Sequence, residues 1–463
     1  MSRVLHLLLL WLLVRDSESQ GYVGSGLDLV AGIKKVLPSV THRANASQIF
    51  YGIMCDAGST GTRIHIYTFV QKNSSEKFIS FLCILAGLKE NINCELSCYF
   101  NGLFCSVGFV DQLPFLDNEM FQSVKPGLSA YADMPEKARA SVKKLLEVAK
   151  STVPRDEWER TPVMLKATAG LRMLPLDKAQ ALLQEVEDVF DDSPFYVPAD
   201  SVSIMDGASE GVLAWVTVNF LTGQLFPNTK KSVGILDLGG GSTQITFLPK
   251  KTTERFPADY TARFSMFNTT YKLYTHSYSG NGIKAAQLAA IGALGSKAPE
   301  GKVFQSSCLP KNYKGKMSFG GLIYKVSGKP GGPTGYKSCY KEMFKVVKGV
   351  VQEPEELEDS WIYAFSYYFD HAVEAGLVDE AHGGAVRVRD FRKRAKEVCN
   401  KVSMYNPDYP FLCMDLTYIT CLLKSGYGFE EETVLELTKK LHNVEASWAL
   451  GATLSYFQHF SIV

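Results

Sequence analysis

The fold is decided by a sequence pattern that occurs twice in the chain. The first copy is YGIMCDAGSTGTRIHIYTFV at residues 51–70, and the second is KSVGILDLGGGSTQITFLP at residues 231–249. Each copy reads as an apolar strand, an aspartate, a turn rich in Gly, Ser and Thr, and a second apolar strand. The two aspartates, Asp56 and Asp237, lie 181 residues apart, which is about one domain length. We therefore predict a duplicated domain with one such hairpin in each half, and a ligand in the cleft between the halves.

Strands and helices alternate between the two copies. PEKARASVKKLLEVAKSTVP and DKAQALLQEVEDVF carry apolar residues at helical spacing, whereas TPVMLKATAG and SVSIMDG read as buried strands. This alternation is typical of an α/β fold.

The composition is that of a soluble globular protein. The chain has 463 residues, of which 46% are hydrophobic and 21% are charged, so that two domains can each bury a core. The net charge is +1, and we identify no basic block interleaved with aromatic residues. We therefore expect no nucleic-acid partner.

The N-terminus has the features of a secretory signal peptide. Arg3 precedes a short apolar run, and Ser17 and Ser19 are small residues suited to cleavage just after Ser19. The alternative is an uncleaved anchor. No later segment reaches the ~18–20 apolar residues of a membrane span. We expect a mature chain without a stable membrane span, in the endoplasmic reticulum lumen, outside the cell, or both.

Ten cysteines fit an oxidising compartment. Cys308 and Cys339 form one separated pair that could close a loop, and Cys399 and Cys413 form another, although sequence alone does not fix the connectivity. A chain that enters the endoplasmic reticulum would also be a glycoprotein, because it has three N-glycosylation motifs, at Asn45, Asn73 and Asn268.

The two turns are suited to phosphate binding. Successive backbone N–H groups and hydroxyls can cradle phosphate oxygens, and glycine allows the backbone to approach closely. A carboxylate beside a phosphate repels it unless a cation lies between them, and Ca²⁺ and Mg²⁺ prefer oxygen ligands. Asp56 and Asp237 therefore indicate a divalent-metal bridge. The alternative is that each aspartate only closes its own turn by an Asx hydrogen bond.

Three further residues have both a functional and a structural interpretation. Glu210 follows Asp206-Gly207 at a probable helix start, where it could be a general base or a favourable acid at a helix N-terminus. Thr168 ends a strand among small residues, which could admit a ligand or belong to a buried strand end. Trp448 could line a site or fill the core.

Five segments, in order, resemble the apyrase conserved regions of the ecto-nucleoside triphosphate diphosphohydrolase (NTPDase) family. They are DAGSTGTR, KATAGLR, MDGASEG, LDLGGGSTQ and SWALGA. The chain is most similar to the soluble nucleoside diphosphatase branch, which resides in the endoplasmic reticulum or is secreted. The resemblance implies an α/β fold of two actin-like (RNase H-like) domains with the active site in the cleft between them.

The resemblance also implies a role for each site residue. Glu210 would be the catalytic base, and Ser242 and Gln244 would orient the attacking water. The metal, Ca²⁺ or Mg²⁺, would be held by Asp56 and Asp237. The other implied contacts are Thr168 and Trp448 at the metal, and Ser59, Thr60, Gly61, Gly239 and Gly240 at the phosphates.

The activity implied is metal-dependent hydrolysis of the terminal phosphate of nucleoside diphosphates, with UDP and GDP preferred. The alternatives are a broader nucleoside triphosphate and diphosphate hydrolase, or a catalytically weak nucleotide-binding protein of the same fold. The sequence does not indicate the oligomeric state. The predicted organisation is a signal peptide (1–19), a leader (20–48), a first actin-like domain (49–205), a second (206–441), and a C-terminal helix that returns to the first (442–463).

One segment departs from the family pattern. Residues of about 77–110 are an atypical, cysteine-rich insert with weak periodicity. They could be a disulfide-linked loop near the cleft or translated non-coding sequence.

Overall fold

The computed structural model describes residues 48–71, 96–98, 105–107, 115–225, 232–250, 256–296, 301–356, 361–401 and 407–459. The predicted signal peptide, the leader before residue 48, Asn45, Asn73 and most of the 77–110 insert lie outside these ranges. Within the described ranges, every helix is too short or too polar to cross a membrane.

The first sheet has five strands and contains the first repeated hairpin. Its spatial order is β5-β2-β1-β6-β7, with β1 parallel to β6 and β6 parallel to β7, while the β1–β2 and β2–β5 pairs are antiparallel. The strands are β1 (Gln48–Ala57), β2 (Thr62–Gln71), β5 (Phe115–Val124), β6 (Val163–Ala167) and β7 (Val202–Ile204). Between β2 and β5, the described part of the insert is a short antiparallel pair, β3 (Leu96–Cys98) and β4 (Cys105–Val107).

The second sheet has seven strands in the order β10-β11-β9-β8-β15-β17-β16. Again the central hairpin, β8–β9, is antiparallel, and β8 is parallel to the next strand, β15. The strands are β8 (Gly234–Leu238), β9 (Ser242–Phe247), β10 (Thr261–Met266), β11 (Thr269–Ser279), β15 (Ile362–Ser366), β16 (Gly384–Arg387) and β17 (Val434–Leu437).

The two sheets repeat one arrangement. Without the edge strands β10 and β16, the second sheet has the spatial order β11-β9-β8-β15-β17. Numbered by their order along the chain, these strands are the third, second, first, fourth and fifth. The first sheet has the same order. Each half therefore has an Asp-containing hairpin at the centre of its sheet, as the duplicated sequence pattern predicts. The first strand of each hairpin also pairs with a parallel strand, β6 in the first sheet and β15 in the second.

Helices lie between and around the sheets because their apolar faces match the apolar strands. They are α1 (Ala138–Thr152), α2 (Ala169–Arg172), α3 (Leu176–Asp191), α4 (Gly207–Leu221), α5 (Ile283–Ala290), α6 (Tyr336–Val347), α7 (Tyr367–Glu374), α8 (Val388–Asn400), α9 (Leu412–Cys421) and α10 (Ala449–His459). Helices α1 and α3 cover one face of the first sheet, and α4 and α10 cover its other face, where they also meet the second sheet.

A smaller sheet is attached to the second half. It consists of β12 (Val303–Ser306), β13 (Lys314–Phe319) and β14 (Leu322–Gly328), and β18 (Lys440–Leu441) and β19 (Val444–Glu445) form a separate short hairpin. The two predicted cysteine pairs, Cys308–Cys339 and Cys399–Cys413, are disulfides in the structure.

Asn268 is the predicted glycosylation acceptor that falls within the described residues. It is exposed in the two-residue turn between β10 and β11, where an attached glycan would point away from the core.

Helix α10 packs on α4 at a close backbone contact. Gly451 of α10 donates its N–H to Thr217 Oγ1 of α4 at 2.8 Å. A Cβ atom at Gly451 would lie 2.1 Å from the backbone oxygen of Leu213, which is far inside van der Waals contact. The absence of a side chain at Gly451 therefore sets the separation of the two helices.

We expect Gly451→Ala to lower stability, because the helices must move apart to admit the methyl group. Overpacking of this kind typically costs about 1–3 kcal/mol. Thermal unfolding followed by circular dichroism should show a lower Tm than the parent. Gly331→Ala is the matched control, since its Cβ would meet no atom within 4 Å, and it should leave Tm nearly unchanged. Equal Tm values for both variants would contradict the packing argument.

Candidate active site

The turns of the two central hairpins touch each other. Asp56 lies at the end of β1 and Asp237 near the end of β8. A Cβ atom at Gly240 in the second turn would lie 2.4 Å from Ser59 Oγ and 2.7 Å from Thr60 Cγ2 in the first turn. The duplicated hairpins therefore bring their small residues and their carboxylates to one place.

Both aspartates are buried and each has an oxygen without a partner. Asp56 is 6% exposed and Asp237 is 7% exposed, and the Oδ1 atom of each accepts no hydrogen bond from any described residue. Arg63, directly across the hairpin, donates from Nη1 to Asp56 Oδ2 at 2.7 Å. Burial of acceptors without donors costs free energy, so these oxygens fit a hard divalent cation, whose preferred ligands are oxygens.

The ionisation of Asp237 reflects the same environment. The pKa of Asp237 is raised from 3.8 to about 6: burial is the largest cause, a hydrogen bond from the Ser366 side chain acts to lower it, and the charge of Asp56 acts to raise it. Asp56 therefore still acts on Asp237 as a like charge although Arg63 partly offsets it, and a cation would offset it further.

Thr168 lies beside the first turn. It follows β6, the strand parallel to β1, and its N–H donates to the carbonyl oxygen of Ala57 at 3.2 Å. Trp448 precedes α10 and lies in the apolar cluster that also contains Met54 and Phe365. Packing explains the burial of Trp448, and its role at a metal site stays a prediction.

Glu210 lies at the start of α4, where Asp206 is the N-cap. The Asp206 carboxylate accepts from the N–H of Ser209 at 2.9 Å and so begins the helix. Glu210, in the first turn, is 6% exposed. Its Oε2 atom accepts from Arg172 Nη2 at 2.6 Å. The helix N-cap is therefore supplied by Asp206, and Glu210 is turned to another partner.

Arg172 connects the glutamate to the second hairpin. Besides Glu210, its Nη2 donates to Ser242 Oγ at 3.2 Å, and its Nη1 donates to the carbonyl oxygen of Met205 at 2.7 Å. One guanidinium thus fixes the position of the Glu210 carboxylate relative to Ser242.

Gln244 extends this network along β9. Its Nε2 donates to Ser242 Oγ at 2.8 Å and to Ser277 Oγ of β11 at 2.9 Å. Its Oε1 is buried and accepts no hydrogen bond from the described residues. Both amide hydrogens are thereby engaged by neighbours, which leaves Oε1 as an acceptor for a ligand or water.

The pKa of Glu210 is raised from 4.5 to about 7. Burial is the largest cause, the neighbouring Arg172 charge acts to lower the value, and the charges of Asp237 and Asp56 act to raise it. A carboxylate in this range can exchange a proton near neutral pH, which is the property of a general base.

The phosphate residues predicted from the sequence lie in the two turns, but their backbone N–H groups differ in availability. The Gly239 N–H donates to the carbonyl oxygen of Ser242 at 3.0 Å, so this amide closes the turn. The carbonyl oxygens of Gly239 and Gly240 accept from the start of α5, at Ile283, Lys284 and Ala285. Because C=O and N–H point in opposite directions in a trans peptide, the N–H groups of Gly240 and Gly241 point away from α5.

Four residues of the site were not identified from sequence. Gly241 and Ser277 contribute as described, and Arg172 is the last residue of the KATAGLR segment, for which the sequence predicted no role. Ser366, at the end of β15, hydrogen-bonds to Asp237 and has φ 57° and ψ −129°. A non-glycine residue in this region is strained, and such strain is concentrated at functional sites.

Comparison with known proteins identifies the family of the chain. The family model described as GDA1/CD39 (nucleoside phosphatase) matches residues 42–462. The ectonucleoside triphosphate diphosphohydrolase 5 of Gallus gallus is 52% identical over 430 residues, 92% of each chain. The nucleoside diphosphate phosphatase ENTPD5 of Homo sapiens is 50% identical over 419 residues, 90% of each chain.

A solved structure shares the fold. The crystal structure of nucleoside triphosphate hydrolases from Neospora caninum has a TM-score of 0.56 and 12% sequence identity, and covers 95% of this chain and 98% of its own. With the repeated strand order, this likeness confirms the predicted α/β fold of two actin-like domains. The chain therefore belongs to the GDA1/CD39 (nucleoside phosphatase) family of hydrolases, as its sequence motifs predict.

Proposed function

We propose that the chain hydrolyses the terminal phosphate of nucleoside diphosphates by direct attack of water, with UDP and GDP preferred and with Ca²⁺ or Mg²⁺ required. The observation that carries the proposal is the meeting of two Asp-containing turns beside a buried glutamate, which an arginine links to the second turn. The name of the human relative, a nucleoside diphosphate phosphatase, supports diphosphates over triphosphates as substrates.

We also propose that the reaction takes place in the endoplasmic reticulum lumen, outside the cell, or both. The two disulfides support this location, because such bonds persist in oxidising compartments. The predicted signal peptide points the same way.

In this mechanism the two turns hold the phosphates. Hydroxyls of Ser59 and Thr60 and backbone N–H groups near Gly61 come from the first turn. Gly240 and Gly241 contribute N–H groups from the second turn. Donors fixed in place before the substrate arrives stabilise phosphate charge without a reorganisation cost.

Asp56 and Asp237 would hold the divalent cation through their unpartnered oxygens, and Thr168 and Trp448 are proposed to line its site. When bound, the cation neutralises charge on the phosphate oxygens and orients them.

Glu210 accepts the proton of the attacking water. Gln244 Oε1 accepts a hydrogen bond from that water, Ser242 helps to orient it, and Arg172 holds the glutamate in position. The water oxygen bonds to the terminal phosphorus while the bond from that phosphorus to the bridging oxygen breaks. The proton of the water ends on the Glu210 carboxylate, the nucleoside monophosphate departs with the bridging oxygen, and no covalent enzyme intermediate forms. Rate enhancement then comes from positioning and charge stabilisation.

The test of this function is a phosphate-release panel over UDP, GDP, ADP, UTP and ATP. We expect the fastest release from UDP and GDP with Ca²⁺ or Mg²⁺, and none in excess chelator, because the uncompensated aspartates repel the substrate. Restoring the cation should restore the rate. Faster release from the triphosphates would favour the broader hydrolase, and full activity in chelator would refute the metal requirement.

A second prediction concerns the base. Glu210→Gln keeps the size of the side chain and removes its basicity, so kcat for UDP should fall by about 10²–10⁴-fold. Nucleotide binding, measured by calorimetry, should change little. Asp206→Asn is the control, because it makes the same chemical change at the N-cap of the same helix and Asn is an equally good cap. If both variants retain close to the parental kcat, Glu210 only serves the helix N-terminus.

A third prediction concerns pH. Glu210 accepts a proton only when ionised, so kcat/KM should rise as pH rises through the pKa of this group, which is about 7 in the metal-free site. This rise is the acid limb of the pH profile. A bound cation favours the ionised carboxylate and so moves the acid limb to lower pH. Arg172→Gln removes a charge that lowers the pKa, so the limb should move to higher pH.

The matched variant is Arg172→Lys, which keeps the charge and loses the fixed fork geometry with which the guanidinium binds Glu210, Ser242 and Met205 together. Its acid limb should stay closer to the parental one even if kcat falls. Superimposable pH profiles for the parent and Arg172→Gln would show that Arg172 does not act on the base.

A further inference from the structure

The positive charge of the chain is concentrated in one region. Residues 301–350 contain ten lysines, no arginine and one acidic residue, Glu342, whereas the rest of the chain has 39 basic and 47 acidic residues. The overall net charge of +1 conceals this separation. Our expectation that no basic segment is interleaved with aromatics is wrong for YKSCYKEMFKVVK, residues 336–348.

Helix α6 arranges part of this charge as a line. Lys337, Lys341, Lys345 and Lys348 are spaced by four, four and three residues, so they share one side of the helix and its end. All four are exposed, and the first three are the only residues of α6 that are exposed rather than buried or partly buried. At 1.5 Å per residue the line is about 16 Å long. We call these four residues the lysine stripe.

An aromatic row runs beside the lysine stripe. Tyr336, Tyr340 and Phe344 each precede a stripe lysine by one residue, and their successive ring centroids are 5.8 and 6.0 Å apart. The ammonium of Lys348 lies 5.6 Å from the centroid of Phe344. These rings are partly exposed, so the surface combines regularly spaced cations with flat apolar faces.

The lysine stripe is not neutralised within the part of the chain that the structure describes. No ion pair there involves its four lysines. The acid of α6, Glu342, is turned away and binds Lys329 at 2.5 Å and Ser306 at 2.7 Å. Like charges three and four residues apart destabilise a helix, so the fold retains an unfavourable arrangement that an external anion would relieve.

The neighbouring sheet shows the same feature. Lys316 of β13 and Lys325 of β14 are directly opposite each other, and both are exposed. Directly opposed like charges are unfavourable across a strand pair. Two separate elements of residues 301–350 therefore maintain uncompensated positive charge.

We propose that the lysine stripe binds a sulfated polysaccharide chain. A linear polyanion matches a straight row of cations, and its sugar rings can pack on the aromatic row. The Cys308–Cys339 disulfide joins α6 itself to the segment before it. Such a bond fits the proposed oxidising compartment, where sulfated polysaccharides are abundant and nucleic acid is scarce.

Two other anions fit the surface less well. Arginine is the residue preferred for bidentate phosphate and nucleic-acid recognition, and residues 301–350 contain none. A membrane-surface helix presents exposed apolar side chains for insertion, whereas the exposed positions of α6 are lysines and its apolar residues are buried or partly buried.

The test is fluorescence anisotropy with a labelled heparin oligosaccharide at several salt concentrations, using the full chain. The triple variant Lys337→Gln, Lys341→Gln, Lys345→Gln should bind at least about tenfold more weakly at 100 mM salt. The slope of log Kd against log salt concentration should be smaller by roughly two to three, by analogy with counterion release from other linear polyanions. UDP hydrolysis should stay at the parental rate, since these residues lie outside the catalytic site.

The matched control replaces three exposed lysines elsewhere, Lys137, Lys143 and Lys144, by glutamine. It should bind heparin like the parent. Equal losses in both triple variants, or none in the stripe variant, would overturn the proposal. Parallel titrations use desulfated heparin, single-stranded DNA and phosphatidylserine vesicles. Tighter stripe-dependent binding to DNA or vesicles than to heparin would assign the lysine stripe to that other partner and refute the polysaccharide.

Discussion

Repulsion among buried carboxylates is the constraint on which the structure of the site depends. Asp56, Asp237 and Glu210 are each less than one-tenth exposed, and Arg63 and Arg172 each pair with one of them. Asp237 has a raised pKa because burial and the charge of Asp56 disfavour its ionised form. In the proposed mechanism, a cation held by the aspartates would offset this repulsion and would prepare the site for an anionic substrate.

The rest of the fold holds these groups close together in spite of the repulsion. Two duplicated sheets place one aspartate each at the end of a central strand, and the turns meet where Gly240 has no side chain to separate them. Helix α4 begins at Asp206 and directs Glu210 toward Arg172. The strained backbone of Ser366 keeps a donor beside Asp237. Strain of this kind persists only because the surrounding core determines the position.

Sequence reasoning identified the features that are local in the chain. The Asp-turn hairpins, the helix that starts near Glu210 and the alternation of strands and helices each depend on residues within about 20 positions, and the structure has all of them. The contacts of Arg172 with Glu210 and Ser242 join residues that are 38 and 70 positions apart in the chain. A local sequence pattern therefore cannot predict these contacts. Ser277 and Ser366 likewise reach the site through strand pairing. The lysine stripe was missed because the net charge averages a basic region with an acidic remainder.

The proposed mechanism requires a cation at the buried aspartates before a diphosphate can bind. Isothermal titration with a non-hydrolysable UDP analogue measures this without turnover. With Mg²⁺ or Ca²⁺ present, the analogue should bind at least about 100-fold more tightly than in chelator, a difference of about 2.7 kcal/mol. The Asp56→Asn, Asp237→Asn double variant, which lacks both charges, should lose this dependence. Equal affinity of the unsubstituted chain with and without the cation would contradict the account.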